Sequence, residues 1–255
     1  HAKYILCKLY ILKILTITDD IINKMKTIEA EARLKALIGK DLQKVRIKLN
    51  ISNTGPKGGL KKGWAGDVVE KYITGFKDNS PKPDFEDSEL KIVPLKINKY
   101  GKLSVKEPMS ICMANEDEIL KNTFYDSHVY QKMKSLLIAF YVAKNMLTDP
   151  VIFVGTTIFE LKGSYLNKIK QDYELLQSYV KKNGLNAVSG SLGKPCLEFS
   201  MRPKDQKGKS SGNIFPRRAF TIRNKDVWNN ILSISGNDES LLMKNFLKSK
   251  SHLYN

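Results

Sequence analysis

Three residues of the segment PDFEDSELKIVPLK (residues 83–96) have the types and spacing for chemistry on a phosphodiester. Alternate side chains of a β-strand share a face, so Glu89 and Lys91 project to the same side. Asp84 comes five residues earlier, beyond a short turn, and can fold back toward the start of the strand. Carboxylate oxygens suit a hard divalent cation such as Mg²⁺, and the carbonyl of Leu90 can add a further oxygen ligand.

Phosphodiester hydrolysis needs these groups together. It requires an activated water, an electrophile at the phosphoryl oxygen and a positive charge that stabilises the transition state. Asp84 and Glu89 would hold the cation, and Lys91 would supply a fixed positive charge beside it. Taken alone, the same pattern equally fits an exposed strand edge with a surface salt bridge.

A helix predicted upstream strengthens the interpretation as a site. The segment KGWAGDVVEKY (residues 62–72) carries Glu70, a third carboxylate that can reach the cation if this helix packs against the strand. Asp67, one turn earlier, is the alternative for that role. Lys62 stands just before the helix, where a lysine and the helix N-terminus can together meet a phosphate.

The charge of the chain indicates a polyanionic partner. The 255 residues include 43 Lys and Arg against 26 Asp and Glu, a formal net charge of +17. Proteins this basic commonly neutralise phosphates, and nucleic acid is the partner we expect. The alternative is a general enrichment of surface lysine with no bearing on partners.

Other features narrow the class of protein. The three cysteines (Cys7, Cys112 and Cys196) form no CxxC pair, which argues against a structural zinc site and suits a reducing cytoplasm. Near the N-terminus, lysines interrupt the apolar residues before they reach the length of a membrane span. We therefore expect a bacterial cytoplasmic, nucleoid-associated protein with no membrane partner.

Periodicity and turn residues predict a mixed α/β chain. The polar, basic connection at 200–218 carries Arg202, Arg217 and Arg218, candidates for bidentate contacts with guanine. The predicted elements are helices at 19–48 (broken at Gly39), 64–76, 164–184, 225–232 and 239–248, a helix running into a buried strand at 128–143, and strands at 88–98, 107–115, 150–161, 196–204 and 218–223. A loop is predicted at 50–63, and a turn at 99–102 joins the first two strands.

At these motifs the sequence resembles the MutH family and the GATC-cutting type II restriction endonucleases related to it. The matching pieces are KGWAGDVVEKY, KPDFEDSELKIVPLK, SHVYQKMKSLLIAF, MRPK and RRAFTIR, in the family's order. The resemblance implies a PD-(D/E)xK restriction-endonuclease-like fold, with a central mixed β-sheet flanked by helices and a DNA cleft between two subdomains. It also implies Mg²⁺-dependent hydrolysis of DNA.

The resemblance implies roles for particular residues. Asp84 and Glu89 would be metal ligands, Glu70 would join the metal site, and Lys91 would be the catalytic lysine. Lys132 matches a second active-site lysine, with Lys134 an equally basic neighbour. The positions implied to contact DNA are Lys62, Arg202 and Lys204.

Two departures from the family pattern bear on function. The spacing from Asp84 to Glu89 is shorter than in MutH, so the intervening turn must be tighter. Thr221, among the residues expected at the DNA, stands where MutH has a tyrosine that senses adenine methylation. A small hydroxyl residue at this position is typical of the restriction-enzyme branch.

These features predict a Mg²⁺-dependent type II restriction endonuclease that cuts at GATC and pairs as a transient or stable homodimer on DNA. The alternatives are a mismatch-repair nickase and a catalytically silent DNA-binding or effector module of the same fold. One domain is expected over residues 1–255, with a helical extension (1–50), a catalytic subdomain (51–162) and a DNA-recognition part (163–255).

Overall fold

Two β-sheets form the centre of the fold. The computed structural model describes residues 25–55, 57–61, 63–75, 83–188, 196–200, 219–232 and 239–253. The strands are β1 (Glu89–Ile97), β2 (Leu103–Val105), β3 (Met109–Met113), β4 (Ser135–Val142), β5 (Ile152–Glu160), β6 (Leu197–Ser200) and β7 (Ala219–Ile222). The helices are α1 (Thr27–Lys35), α2 (Leu42–Lys48), α3 (Trp64–Thr74), α4 (Glu116–Lys121), α5 (His128–Met133), α6 (Gly163–Asn183), α7 (Asn224–Asp226) and α8 (Glu239–Leu253).

The larger sheet has the strand order β2-β1-β4-β5. Its central strands β1 and β4 run parallel, from Glu89 opposite Leu136 to Leu95 opposite Val142. The outer pairs, β1 with β2 and β4 with β5, are antiparallel. The sheet is therefore mixed, and helices pack on it, as the family resemblance implied.

The smaller sheet joins distant parts of the chain. Its order is β3-β7-β6, with both pairs antiparallel. Strand β3 belongs to the stretch predicted as catalytic, whereas β6 and β7 belong to the predicted recognition part. The subdomain boundary at 162/163 remains a prediction, and the sheet runs across it.

Strand β4 is buried on both faces and separates two apolar clusters. Ile138 and Phe140 face the cluster that includes α6 and α8, while Leu137 and Ala139 face the cluster that includes α1 and α3. This double burial explains why β4 reads as a continuous apolar run and not as an alternating pattern. Trp64 on α3 is fully buried, as expected of a core anchor.

Several predicted boundaries are confirmed. Gly39, at φ +80°, lies in the turn between α1 and α2, and Gly75, at φ +86°, caps the end of α3. Both positions use the left-handed backbone conformation that glycine adopts without a Cβ penalty. The predicted helix-then-strand at 128–143 is also correct, since α5 leads directly into β4.

Two predictions need correction. The turn at 99–102 leads from β1 into the unpredicted three-residue strand β2, and the strand predicted at 107–115 (β3) lies in the other sheet. The closing helix predicted at 225–232 is α7 followed by a π-helix (Val227–Leu232). Over the described residues, no helix has the length and apolar character to cross a membrane.

Candidate active site

A tight turn places Asp84 at the start of β1. Asp84 Oδ2 accepts a hydrogen bond from the backbone N–H of Leu90 at 2.8 Å, so the carboxylate folds back onto the strand as predicted. The turn closes through a hydrogen bond from Phe85 N to Ser88 O at 3.0 Å, and the Phe85 ring is buried beneath it. The short spacer between Asp84 and Glu89 thus makes a defined turn.

The two carboxylates lie close enough to repel each other. The pKa of Asp84 is raised to about 6, first because of burial and second because of the negative charge of Glu89. The hydrogen bond from Leu90 and the charges of Lys91 and Lys132 act in the opposite direction. A bound divalent cation would offset the repulsion between these two carboxylates, which supply the oxygen ligands that such a cation prefers.

Glu89 is held between two lysines. Lys91 Nζ lies 2.8 Å from Glu89 Oε1, and Lys132 Nζ lies 2.7 Å from Glu89 Oε2. Lys132 stands on α5, and the parallel pairing of β1 with β4 brings the end of that helix beside the start of β1. Of the two candidate lysines, Lys132 is buried and pairs with Glu89, whereas Lys134 is exposed.

A backbone carbonyl also contacts Lys91. Lys91 Nζ donates to Ile111 O at 3.1 Å. The β3–β7 register shifts between Ser110 and Cys112, so Ile111 has no partner in the register, and its carbonyl faces Lys91. Residue spacing gave no signal for this contact, which depends on a long-range strand pairing.

Cys112 is a buried thiol that lies beside this cluster. Its side chain is buried, and burial raises the pKa of the thiol to about 12, although Lys91 acts in the opposite direction. The thiol therefore stays protonated at neutral pH and behaves as a small apolar group.

The residues present fit a divalent cation held by two carboxylates. Across the described ranges, no group of three or more His, Cys, Asp or Glu side chains forms a metal site, so Glu70 is not gathered with Asp84 and Glu89. Asp67, the alternative to Glu70, forms a salt bridge with Lys61 at 2.8 Å. The role of Glu70 as a third ligand remains a prediction.

One of the residues predicted to contact DNA is buried. Thr221 lies in β7 between Ser110 of β3 and Glu198 of β6 and is fully buried, and its role at the DNA remains a prediction. Every residue of β7 is buried, because the strand is central in its sheet. The other predicted DNA-contacting residues lie outside the described residues: Lys62, Arg202, Lys204, Arg217 and Arg218.

The spacer also anchors the site to the N-terminal helix. Asp87 accepts hydrogen bonds from both the backbone N–H and the hydroxyl of Thr27 at the start of α1. Partial burial acts to raise the pKa of Asp87, but the bonds from Thr27 prevail and lower it. Glu86 and Asp87 are both exposed, and Asp87 in addition links the turn to α1 through Thr27.

Comparisons with known proteins identify similar sequences. Residues 75–172 match the family model described as "DNA mismatch repair enzyme MutH". The chain is 26% identical over 199 residues to the type II restriction enzyme Sau3AI of Staphylococcus aureus, covering 75% of this chain and 39% of that protein. It is 27% identical over 145 residues to the DNA mismatch repair protein MutH of Haemophilus ducreyi, covering 56% of this chain and 62% of that protein.

The mixed α/β fold and the matched segment make the chain similar to MutH-type, restriction-endonuclease-like proteins. It is homologous to Sau3AI and to MutH, consistent with a position near the Sau3AI branch. The matched segment contains Asp84, Glu89, Lys91 and Lys132. The chain spans about two-fifths of the length of Sau3AI and less than two-thirds of the MutH protein.

Proposed function

We propose that this chain is a Mg²⁺-dependent type II restriction endonuclease that hydrolyses both strands of duplex DNA at a short specific site, GATC. The observation that carries the proposal is the convergence of Asp84, Glu89 and two lysines at the start of β1. The homology to Sau3AI supports the restriction activity. The net charge of +17 supports a DNA substrate.

Each side chain of the site has a distinct role in this proposal. Asp84 and Glu89 would hold the Mg²⁺, which when bound polarises the phosphoryl group and activates water. Lys132 pairs with Glu89 Oε2 and fixes the orientation of that carboxylate. Lys91 uses two of its three N–H groups on Glu89 and Ile111, so the third can donate to the charged phosphate in the transition state.

Plasmid cleavage tests this function. The wild type should linearise DNA in the presence of Mg²⁺, and sequencing of the ends should return one recognition sequence. Lys91→Ala and Asp84→Asn should be inactive, while Lys134→Ala, a change at an exposed lysine two residues from Lys132, should cut normally. Equal cleavage by the wild type and the two site variants would refute the assignment.

A mismatch-repair nickase is the second candidate, because the MutH proteins are also relatives. If the protein is a nickase, the isolated protein should produce open-circular plasmid and no linear product. A silent DNA-binding module would bind the duplex and cut neither strand. The intact Asp84, Glu89 and Lys91 favour cleavage over that last candidate.

Pairing on DNA follows from the proposed double-strand cut. Within the described ranges, the chain carries one such cluster, at the start of β1, and a symmetric cut at a palindromic site needs two. We therefore propose that two copies meet on one GATC site. A cytoplasmic location, where the chain would meet DNA, belongs to the same proposal.

A further inference from the structure

The β1–β2 hairpin, residues 95–106, is a basic element at the far end of the catalytic strand. Its sequence LKINKYGKLSVK contains lysines and no acidic residue. Along β1, Ile97 lies eight residue steps beyond Glu89, which places the hairpin about 26 Å from the site at about 3.3 Å per residue. The hairpin is therefore separate from the active site.

The tip of this basic hairpin is ordered by its own hydrogen bonds. Asn98 Oδ1 accepts from the backbone N–H of Tyr100 at 2.9 Å and of Lys102 at 3.1 Å, and Gly101 takes a left-handed φ of +74°. Tyr100 stands at this tip with 74% of its surface exposed, and Lys99 Nζ lies 4.9 Å from its ring centroid. The fold thus holds an exposed aromatic ring and a cation together on a defined turn.

A cleft adjoins the hairpin and extends the positive surface. It has a volume of about 630 Å³, and three lysines line it: Lys96, Lys106 and Lys144. Asp149 is the single acidic residue of the lining, and the apolar lining comprises Ile97, Val142, Ala143, Pro150, Ile152 and Phe246. The lysine side chains are exposed, so their charges face solvent at the rim.

Among the described residues, the lysines of this surface have no ion-pair partner, although the Glu239 carboxylate accepts a hydrogen bond from Leu103 N of the hairpin at 3.0 Å. In the part of the chain that the structure describes, no carboxylate forms an ion pair with Lys96, Lys99, Lys102, Lys106 or Lys144. Elsewhere in the same part, Lys61, Lys91 and Lys132 do have carboxylate partners. Surfaces that bind nucleic acids commonly combine exposed cations that have no carboxylate partner with an exposed aromatic side chain, as at this turn.

We infer that the basic hairpin and the adjoining cleft bind the phosphate backbone of duplex DNA outside the recognition site. The inference rests on the proposed function for the identity of the partner. A distance of about 26 Å corresponds to about eight base pairs at ~3.4 Å per base pair, within reach of DNA flanking the cut site. The lysines contact phosphates, and Tyr100 packs against the backbone or an adjacent base.

The salt dependence of binding tests this inference without cleavage. Binding is measured by fluorescence anisotropy in EDTA, on a duplex of about 30 base pairs and on one of about 10 that ends before the hairpin. The triple variant Lys96→Gln, Lys99→Gln, Lys102→Gln should lower the slope of log K against log salt on the long duplex by about two to three for each bound protomer, at ~0.9 for each phosphate that is no longer neutralised. The slope on the short duplex should not change.

Matched variants separate this effect from a general reduction of positive charge. The control Lys44→Gln, Lys181→Gln, Lys182→Gln removes three exposed lysines on α2 and α6 and should leave the slope on the long duplex unchanged. Tyr100→Ala should weaken binding to the long duplex at constant slope, because the ring carries no charge. Equal slopes for the hairpin variant and the wild type would overturn the inference and would favour an acidic protein as the partner of this surface.

A further measurement shows whether the contacted phosphates belong to the duplex in the active site or to a second DNA molecule. Sedimentation of the wild type with excess long duplex should give one duplex per site if the hairpin reaches flanking DNA of the same molecule. A second bound duplex that the hairpin variant fails to bind would assign the surface to another DNA molecule. Absence of all DNA binding by the wild type would overturn the inference together with the proposed function, whereas hairpin-dependent binding without cleavage would overturn the proposed function alone.

Discussion

Glu89 is a buried carboxylate whose two oxygens each contact a lysine. Removal of one partner from a buried, hydrogen-bonded charge leaves the other inadequately compensated, which is costlier than the removal of a surface pair. The lysines of this site therefore contribute to the stability of the fold as well as to the proposed reaction. Substitutions can measure the two contributions separately.

Lys132→Met should destabilise the protein and slow the reaction. We expect a decrease of about 2–4 kcal/mol in the free energy of unfolding, because Glu89 loses the partner of its Oε2 atom. Lys134→Met, at the exposed neighbour, should change it by less than about 0.5 kcal/mol. Urea denaturation gives both values, and similar values for the two variants would contradict the buried pairing of Lys132 with Glu89.

Asp84→Asn should stabilise the protein without metal while abolishing cleavage. Because the folded-state pKa of about 6 exceeds the ordinary 3.8, the native state binds the proton more tightly, and stability falls as pH rises through that window. The variant removes this pH-dependent decrease, so at pH 7 in EDTA it should be about 1–3 kcal/mol more stable than the wild type.

The pH and metal dependence provide the controls for Asp84→Asn. The difference in stability should disappear below pH 3.8, where Asp84 is protonated in both states. Added Mg²⁺ should raise the melting temperature of the wild type and have a smaller effect on the variant. A stabilisation by Asp84→Asn that persists at low pH would point to packing and not to charge.

Spacing alone indicated Asp84, Glu89 and Lys91, because a turn and an alternating strand fix where their side chains project. The family resemblance indicated Lys132, with Lys134 an equally basic neighbour, and only the fold shows that Lys132 is the buried one of the two. The Ile111 carbonyl was missed because it requires the β3 bulge, which arises from pairing with a strand more than 100 residues away.

At the scale of elements, the packing of α8 on β5 depends on a small residue. A Cβ added at Gly155 would lie 2.7 Å from Leu242 Cδ2, closer than contacts between such atoms allow. Asn245 Nδ2 also donates to Val154 O at 2.8 Å, so the helix is held directly above the strand. Helix α8 thereby closes the apolar cluster that contains Phe140.

Gly155→Ala should therefore destabilise the protein by about 1–3 kcal/mol through overpacking. Adding Leu242→Ala should make the double variant more stable than the sum of the single changes predicts, because the clashing atom is gone. Thermal or urea unfolding of the four proteins measures this coupling. Strict additivity would show that Leu242 is not the residue that opposes the new Cβ.

The helices and strands that were predicted correctly are those whose structure the local sequence determines. Continuous apolar runs and the glycines at 39, 75 and 184 marked the longer helices and strands. Strand β2 is only three residues long and has no periodicity of its own, so its pairing with β1 decides its structure. The division of the strands between two sheets is likewise set by long-range contacts that no local pattern encodes.

At the scale of the whole molecule, the proposed double-strand cut requires two copies of the chain. Analytical ultracentrifugation with a duplex carrying one GATC site, in Ca²⁺ to prevent cleavage, should show two protomers per duplex. A duplex with the site scrambled should not give this stoichiometry. One protomer per cognate duplex would contradict the pairing and favour nicking.

The most direct test of the central claim is single-turnover cleavage of a duplex oligonucleotide with one GATC site. Wild-type protein in excess over DNA and in the presence of Mg²⁺ should cut both strands. Lys91→Ala should slow the cleavage step by a factor of about 10² or more, since it removes the cation that faces the phosphate. Lys134→Ala should cut at the wild-type rate. Cleavage by Lys91→Ala at that same rate would contradict the account.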